Sequence, residues 1–559
     1  MSFILPWRRV CVGTAVAIAS GLTLAQTSGV VLPGQVERQF RMLPQPRTDG
    51  KVPEAPLPVE PVPANADEIR FEAREIVVDG ATRLPEGRLQ QLTAPYLSRN
   101  ISLADLYRLA AELTTTYRES GHLLSQVTVP AQEIRDGVIH LRAVEGFIDQ
   151  VIVEGGDADE RDLVARFGMK IRSERPLTSA VLERYMLLVN DLPGVFAYAT
   201  LSPSGDRFAA ADLRIHLTER RLDAGLTADN RGGRVLGNER IIADVAVADL
   251  LGRRDNTSLK AVASPGGELA YAALRHDQPI GAEGSRLALT LSATRARPEQ
   301  DGFFALDLET RSRAWELAYL HPALRSRSEN VYVRVALDAH DGEERVFGTR
   351  DREDHVRSLR FGLTWDVQDA LGGTNIVDIE GSAGLRALGA SRNGDPLLTR
   401  DDGRTDYSKL SFFAARLQDL SARWSLLAAA AGQHAHTALL SSELFAFGGE
   451  PFGRGYDPSE LVGDHGAAAK LELRYAGHFE LGRPMTYQAY GFYDIGRVWS
   501  RMPGQDDGDA SAASVGIGTR LVFGPSVNGF IEIARPLTRP VAAEGDKDAR
   551  IYAGFSARM

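Results

Sequence analysis

The sequence predicts a membrane β-barrel of sixteen antiparallel strands that follows two small α/β modules. From residue 222 to the end, apolar and polar residues alternate with a period of two, as in strands with one apolar face. Residues 67–220 instead mix helical and strand periods, and the pattern occurs twice. The chain also begins like an exported protein, and nothing after that start reaches the roughly 18 apolar residues of a membrane helix.

Residues 1–25 form the predicted signal peptide. Arg8 and Arg9 supply its basic start, residues 10–24 are mostly apolar, and small residues precede the cleavage site after Ala25. A membrane anchor is the alternative, but the apolar run is short and is interrupted by glycine and serine. Because the single cysteine, Cys11, lies in this segment, we expect no disulfide and no cysteine-ligated metal in the mature chain.

Residues 26–66 are predicted to contain a short amphipathic helix and a proline-rich linker. In the helix, Gln35 to Leu43, the apolar residues Val36, Phe40 and Leu43 share one face. Prolines directly after Leu43 would end the helix. The five prolines between positions 53 and 63 indicate an extended spacer, although a disordered leader fits this composition equally well.

The two α/β modules are assigned to residues 67–146 and 147–220. Each is predicted to run strand, helix, helix, strand, strand. The clearest helix follows Ser102, with Asp105 at the capping-box position and a row of apolar residues on one face. Gly121 would end this helix.

The barrel is assigned to residues 221–559. In SRLALTLSAT (residues 285–294), the leucines occupy one face, and arginine, serine and threonine occupy the other. Sixteen such segments give roughly 21 residues for each strand with its connection, a spacing typical of outer-membrane barrels. A soluble antiparallel sandwich would alternate in the same way.

The lengths of the connections favour the barrel over the sandwich. Connections after even-numbered strands are short, whereas four connections after odd-numbered strands are predicted to be long loops: residues 296–310, 341–354, 386–405 and 437–466. Outer-membrane barrels have short periplasmic turns and long outer loops. An even number of strands would then place both ends of the barrel beside the two modules, on the periplasmic side.

Composition and motifs argue against several other classes of function. A net charge of -10 provides no basic surface for nucleic acid. The eleven histidines have no metal-binding spacing, and the sequence contains no nucleophile elbow and no Walker loop. We therefore expect neither an enzyme nor a protein that binds a cofactor or a metal.

Two short stretches of the barrel carry the candidate functional residues, which are Arg454, Gly455 and Tyr456 in a loop and Phe492, Asp494 and Gly496 on the thirteenth strand. Asp494 is predicted to face the lumen because its neighbours Tyr493 and Ile495 suit lipid. It could then accept a bidentate ion pair from Arg454. From these residues alone, a solvated Arg454 outside the barrel and an Asp494 that only lines a wet pore remain the alternative.

Together these motifs resemble those of the two-partner secretion transporters, the outer-membrane exporters of haemolysins and adhesins. The segments that carry the resemblance are YRESGHLLSQVTVPAQEIRDGVIHLRAVEG, NDLPGV, ADNRGGRVLGNERI, FGRGYD and FYDIG. They occur in the family's order, and the resemblance covers nearly the whole mature chain. It implies that the two modules are polypeptide-transport-associated (POTRA) domains.

The resemblance also implies a function, which is protein translocation across the outer membrane. An unfolded, exported haemolysin- or adhesin-like partner would bind the POTRA domains in the periplasm and pass through the barrel. Residues 35–43 would form a plug helix in this lumen. Arg454, Gly455 and Tyr456 would form the tip of an inward-folded sixth loop, and Asp494, with Phe492 and Gly496, would be its partner on the wall.

The remaining expectations concern the membrane and the alternatives. The barrel would lie in outer-membrane lipid after insertion by the barrel-assembly machinery. The family's loop motif often begins with valine, where this chain has Gly453, and such barrels often end in an aromatic residue rather than Met559. Recognition by the machinery would then rest on Phe555 and Tyr552.

The alternative functions are a barrel-insertion factor of the same superfamily, usually with more POTRA domains, and a passive solute porin.

Overall fold

The computed structural model describes residues 31–40, 44–46, 61–205, 207–299, 304–480, 484–500 and 509–559. In this part of the chain, the strands form one closed barrel and four smaller sheets. No helix among these residues is both long and apolar enough to cross a membrane. The predicted signal peptide, Leu43 and most of the predicted linker lie outside the described residues.

The first helix, α1 (Gln35–Gln39), is shorter than the predicted helix from Gln35 to Leu43. It ends before Phe40, whose backbone (φ -99°, ψ 1°) has left the helical conformation. A helix of five residues has no stability of its own in water, so its length depends on tertiary contacts. Here the Phe40 ring stacks on Tyr271 of the barrel wall, with 4.9 Å between ring centroids.

The first α/β module contains β1 (Arg70–Ala73), β2 (Glu75–Asp79), α2 (Glu86–Thr93), β3 (Arg99–Ser102), α3 (Leu103–Glu119), β4 (Gln126–Thr128) and β5 (Val138–Val144). Strand β5 lies between β2 and β4, while β1 pairs with β3 in a separate sheet. The predicted capping box at the start of α3 is present, since the Asp105 carboxylate accepts a hydrogen bond from Ser102 N at 2.9 Å. The core lies between α3 and the three-stranded sheet.

The second α/β module contains β6 (Phe147–Glu154), α4 (Ala158–Ser173), α5 (Ser179–Asn190), β7 (Val195–Pro203) and β8 (Ala210–Glu219). Its sheet has the order β6-β8-β7, in which β6 and β8 are parallel. Both helices pack on one face of this sheet and bury residues such as Phe167, Leu182 and Ile215. Both modules therefore have the predicted order of strand, helix, helix, strand, strand, to which the first adds the short strands β1 and β3.

The remaining strands are β9 (Leu222–Asp229), β10 (Arg240–Ala248), β11 (Asn256–Ala263), β12 (Leu269–Ile280), β13 (Ser285–Ala296), β14 (Glu309–Arg325), β15 (Glu329–Val346), β16 (Thr349–Gln368), β17 (Gly373–Gly384), β18 (Ser408–Asp419), β19 (Trp424–Ala435), β20 (Phe445–Phe447), β21 (Leu461–Gly463), β22 (His465–Glu480), β23 (Pro484–Trp499), β24 (Ala510–Phe523), β25 (Val527–Pro536) and β26 (Arg550–Arg558). All except β20 and β21 belong to the barrel, which closes where β26 pairs with β9. The predicted sixteen-stranded antiparallel barrel is confirmed.

Side chains alternate between the outer surface and the lumen along each barrel strand. On β23, Tyr493 and Ile495 are 41% and 45% exposed, whereas Phe492 and Asp494 are buried. The exposed residues are those that would contact lipid, as in other barrels of this kind. The predicted facing of Asp494 toward the lumen is therefore correct.

The lengths of the connections differ from the prediction at one hairpin. Long loops follow β13, β17 and β19, but residues 341–354, predicted to be a loop, continue β15 and β16 up to a turn at Phe347 and Gly348. Both turn residues have positive φ, 51° and 71°, which closes the hairpin tightly. The prediction was wrong because strand pairing beyond the membrane needs no apolar face, and the many charges here suggested a loop.

The second module is fixed to the barrel by ion pairs at three adjacent short turns. Glu283, between β12 and β13, accepts a hydrogen bond from Lys170 of α4 at 2.8 Å. At the end of β14, the Arg325 guanidinium donates to both carboxylate oxygens of Asp191 at 2.8 and 3.0 Å. Arg254, between β10 and β11, pairs with Asp157. The module therefore lies directly beneath one side of the barrel opening.

Candidate functional site in the barrel lumen

The connection between β19 and β22, residues 436–464, folds into the barrel and is called the sixth loop below. It contains the β20–β21 hairpin and a helical turn, Ser441–Glu443. Phe447, Tyr456 and Leu461 of the loop are buried against Ala468, Val498 and Ala512 of the wall. A loop of polar composition is therefore held inside the lumen by a small apolar core.

Arg454 and Asp494 form the predicted ion pair inside the lumen, and both side chains are buried. Arg454 Nε donates to Asp494 Oδ2 at 3.0 Å, and Nη2 donates to Oδ1 at 2.9 Å. The backbone N–H groups of Gly453 and Arg454 also donate to Asp494 Oδ2, at 3.1 and 3.0 Å. Such a bidentate, charge-assisted pair fixes both the position and the orientation of the loop tip.

Three further groups on the wall complete the surroundings of Arg454. Glu472 on β22 accepts a hydrogen bond from Arg454 Nη1. The Phe492 ring lies under the guanidinium, 3.5 Å from its carbon to the ring centroid, in cation–π geometry. Arg454 Nη1 also lies 3.8 Å from the Glu532 carboxylate, so three carboxylates and one aromatic face compensate the buried cation, as a buried charge requires.

The glycines of the two motifs let the loop approach the wall closely. A Cβ at Gly455 would lie 2.8 Å from Ser514 Cβ and 3.0 Å from the backbone of Arg535. A Cβ at Gly496 would lie 2.1 Å from the Phe447 ring. Gly453 has φ 97°, a conformation that other residues rarely adopt.

Tyr456 is buried beside these residues and is anchored at its hydroxyl. Its O–H lies 3.2 Å from the carbonyl oxygen of Ala513 on β24 and 3.3 Å from that of Arg539. All six residues proposed from the two motifs therefore lie in one contact region between the sixth loop and strands β22 to β24.

The N-terminal segment, residues 31–40, also lies in the lumen. Val36 packs against Val262, Leu269 and Ala296 of the wall. Glu37 accepts hydrogen bonds from Thr294, at 2.7 Å, and from Ser312. Val36 and Phe40 thus contact the barrel, as a plug helix would, while Leu43 lies outside the described residues.

The N-terminal segment and the sixth loop contact each other at the helical turn Ser441–Glu443. Arg38 donates to the carbonyl oxygens of Ser442, at 2.6 Å, and Leu444, at 2.5 Å. Glu443 in turn pairs with Arg360 of β16 at 2.7 Å and with Lys409 of β18 at 2.6 Å. Glu443 therefore anchors the loop to the wall at a second place, separate from Asp494.

Sequence reasoning missed Glu472 and Glu443. Glu472 lies in a segment whose alternation already predicted a lumenal face, so a search for carboxylates on lumenal faces could have found it. Glu443 lies in a loop, and its partners Arg360 and Lys409 are more than 30 positions away. Periodicity gives no signal for such a contact.

Comparison with known proteins identifies the family. A family model described as haemolysin secretion/activation protein ShlB/FhaC/HecB matches residues 211–521, more than half of the chain. The chain belongs to this family. A second model, the ShlB-type POTRA domain, matches residues 71–146 in the first module.

Individual relatives agree with the family over most of the chain. The heme/hemopexin transporter protein HuxB of Haemophilus influenzae is 22% identical and covers 80% of both chains. The outer membrane transporter CdiB of Escherichia coli is 23% identical over 93% of this chain and 89% of its own. A solved structure of Escherichia coli CdiB has the same fold, with a TM-score of 0.72, 20% identity and coverage of 91% and 94%.

Family and fold together determine the class and the location of this member of the ShlB/FhaC/HecB family. It is an outer-membrane transporter of two-partner secretion, which exports partner proteins, and its POTRA domains lie in the periplasm. The family consists of transporters. In the described part of the chain, no group of three or more histidine, cysteine or acidic side chains could hold a metal ion.

Proposed function

We propose that this transporter secretes an unfolded, haemolysin- or adhesin-like partner through its lumen, with the N-terminal segment as plug and the sixth loop as lid. The observation that carries the proposal is the occupancy of the lumen. Two segments of the chain fill it, and each is attached to the wall by charged and polar groups as well as by a small apolar cluster. A translocating chain needs such segments to leave without breaking the barrel.

Polar attachment suits a reversible closure. A hydrogen bond to the wall is worth only about 0.5–1.5 kcal/mol net when water or another partner can replace it. The barrel itself is held by a continuous ladder of backbone hydrogen bonds from β9 to β26, which no such exchange disturbs. Plug and lid can therefore move while the wall persists.

The POTRA domains would receive the partner in extended form. In the second module, β7 lies at the edge of the sheet, and its Phe196 and Tyr198 are 59% and 57% exposed. An extended chain can add to such an edge as another strand and place side chains beside these rings. The partner would then enter the lumen and fold outside, which would bias its movement outward without nucleotide.

The lock between Arg454 and Asp494 is tested by secretion. We expect Arg454→Ala and Asp494→Ala to reduce export of the partner several-fold while the barrel remains inserted in the outer membrane. Arg345→Ala serves as a control, because Arg345 pairs with Glu343 on the outer hairpin, at 3.0 Å, away from the lock. The measurements are partner in the medium and barrel in outer-membrane fractions. Normal export by both lock variants would contradict the lock.

The partner itself would be sought in the reading frame next to this gene. We expect a large exported protein with an N-terminal β-helical secretion domain. Such a neighbour would also argue against a barrel-insertion factor, which acts on many barrels rather than on one partner.

Single-channel recording in a planar bilayer distinguishes the plugged transporter from a passive porin. We expect the full-length chain to be mostly closed and a variant without residues 26–66 to conduct steadily. A porin would conduct steadily with these residues in place. Equal conductance of the two forms would therefore contradict the plug.

A further inference from the structure

All hydrogen bonds that the described residues donate to Asp494 come from the sixth loop. The donors are the backbone N–H groups of Gly453 and Arg454 together with Nε and Nη2 of Arg454. If the loop leaves, Asp494 loses all of them at once. Without the loop, Asp494 would face the lumen near the carboxylates of Glu472 and Glu532 with no cation of its own, which is unfavourable because like charges repel.

The other two carboxylates near Arg454, Glu472 and Glu532, keep hydrogen-bond partners when the loop leaves. Glu472 keeps Arg474, at 2.8 Å, and Arg520, at 2.9 Å. Glu532 keeps Arg231, at 3.1 Å, and the hydroxyl of Tyr490, at 2.8 Å. All four of these partners lie outside the sixth loop, so they remain when the loop moves. Asp494 is the carboxylate that opening leaves without compensation.

Lys470 is placed to supply the missing cation. It lies on β22 directly opposite Asp494 on β23, and both residues face the lumen. In the closed state its amine forms no ion pair with any described residue and lies 5.4 Å from the Phe452 ring centroid. Lys470 also lines a cavity of about 340 Å³ beside Arg454 and Glu472, which leaves its flexible side chain room to turn.

We propose that Lys470 replaces Arg454 at Asp494 when the sixth loop opens and so stabilises the open barrel. Opposite charges on directly paired residues of neighbouring antiparallel strands attract each other. In the closed state the bidentate guanidinium outcompetes the amine, because it makes two aligned hydrogen bonds where an ammonium is a point charge. Asp494 would thus exchange the Arg454 guanidinium for the Lys470 ammonium instead of losing its cationic partner. The proposal rests on the lock proposed above and adds the residue that stabilises Asp494 after the lock has opened.

The test is the lifetime of open events of the full-length chain in planar bilayers. We expect Lys470→Gln to shorten open events several-fold, because the open state then contains an uncompensated Asp494. Lys470→Arg should restore their length. In the closed state Lys470 forms no ion pair with any described residue and lies only near the Phe452 ring, so the thermal midpoint of the purified protein should stay within about a degree or two of the wild type.

Lys260→Gln is a matched control. Lys260 also faces the lumen and lies directly opposite an aspartate, Asp244 on β10, but on the other side of the barrel from the lock. It should leave open events unchanged. In an Asp494→Asn background, Lys470→Gln should have no further effect, since no charge remains to be neutralised.

The outcomes separate this inference from the lock itself. Open events of unchanged length in Lys470→Gln, together with more frequent opening in Arg454→Ala, would overturn the role of Lys470 and leave the lock intact. Unchanged opening in Arg454→Ala would overturn the lock and, with it, the role of Lys470. A further loss caused by Lys470→Gln in the Asp494→Asn background would also refute the exchange.

Discussion

The Phe447 ring of the sixth loop lies between two glycines, Gly453 of the loop and Gly496 of the wall. A Cβ at these positions would lie 2.7 and 2.1 Å from the ring. At Gly453 the aromatic ring fills the space that a larger side chain would need. The two motifs therefore fit each other through a third residue that neither contains.

Gly496→Ala is the sharpest test of this fit. The new methyl group would force Phe447 to move, and overpacking of this kind costs about 1–3 kcal/mol. We expect a lower thermal midpoint and faster proteolysis of the sixth loop, with the barrel still inserted.

Gly491→Ala on the same strand is the control for this prediction. A Cβ at Gly491 would make only ordinary contacts, 3.8 Å from Ile517 and 3.9 Å from the Gly516 carbonyl oxygen. A loop that stays equally protected in Gly496→Ala would show that Phe447 does not hold the loop in place.

At the scale of elements, α1 and the helical turn Ser441–Glu443 hold each other in the lumen. Arg38 of α1 binds the turn, and Glu443 of the turn binds Arg360 and Lys409 of the wall. Arg38 also approaches the Glu443 carboxylate to 4.0 Å. One carboxylate therefore lies among three cations from three elements. Its loss removes the negative charge between Arg38 and Lys409, while Arg360 keeps Asp338 at 3.0 Å.

Glu443→Gln is expected to release α1 more often. A single cysteine in place of Val36 reports this release, because the mature chain is predicted to contain no other thiol. We expect a membrane-impermeant maleimide to label this cysteine several-fold faster when Glu443→Gln is present.

Glu353→Gln provides the comparison for the labelling experiment. Glu353 pairs with Arg350 on the outer hairpin, at 2.7 Å, and does not contact α1. Labelling at the same rate in both backgrounds would mean that the turn does not retain the plug.

At the scale of the whole molecule, the second module meets the barrel at a pair of carboxyl groups, the buried Glu160 and the half-buried Glu219. Burial, followed by hydrogen bonding to Glu219 and the charge of Glu219, raises the pKa of Glu160 to about 7. Its neighbour Glu160 lowers the pKa of Glu219, so Glu160 is the member of the pair that keeps its proton to higher pH. Arg254 of the barrel turn lies 3.8 Å from Glu160, which places this pair at the joint.

This arrangement predicts a stability that falls as the pH rises toward neutrality. Between the ordinary glutamate pKa of about 4.5 and about 7, the folded protein keeps a proton that the unfolded chain has lost. Raising the pH from 5.5 to 7.5 should therefore lower the free energy of unfolding by about 1–2 kcal/mol. Glu160→Gln, which is neutral at every pH, should remove this dependence of the thermal midpoint.

Asp162→Asn on the same helix controls for general effects of charge. Asp162 is exposed and pairs only with Arg166 one turn away, at 2.6 Å. The pH dependence should persist in this variant. If Glu160→Gln retains the full dependence, Glu160 is not the group that causes it.

The end of the barrel bears on how the machinery that inserts it would recognise this chain. Phe555 faces outward on β26, whereas Tyr552 is buried in the lumen, where the Arg231 guanidinium lies 5.3 Å from its ring. Recognition through Phe555 stays a prediction. Recognition through Tyr552 also stays a prediction.

The sequence by itself determined the strands, their number and the direction in which their side chains point. These are local properties, since a period of two and an alternation of apolar and polar residues can be read within ten positions. The facing of Asp494 followed from its two neighbours alone. The resemblance then paired Asp494 with Arg454, a choice that the residues left open.

Only the tertiary structure decided where α1 ends, that residues 341–354 continue a hairpin, and which cations Glu443 binds. Arg38 and Ser442, for instance, are 404 positions apart, and no local pattern encodes which of many arginines meets a given loop. The same holds for Lys470, whose position opposite Asp494 becomes meaningful only once all donors that the described residues offer Asp494 are known to come from the loop. Such contacts depend on the closed barrel, which brings distant residues into one lumen and excludes the water that would otherwise satisfy them.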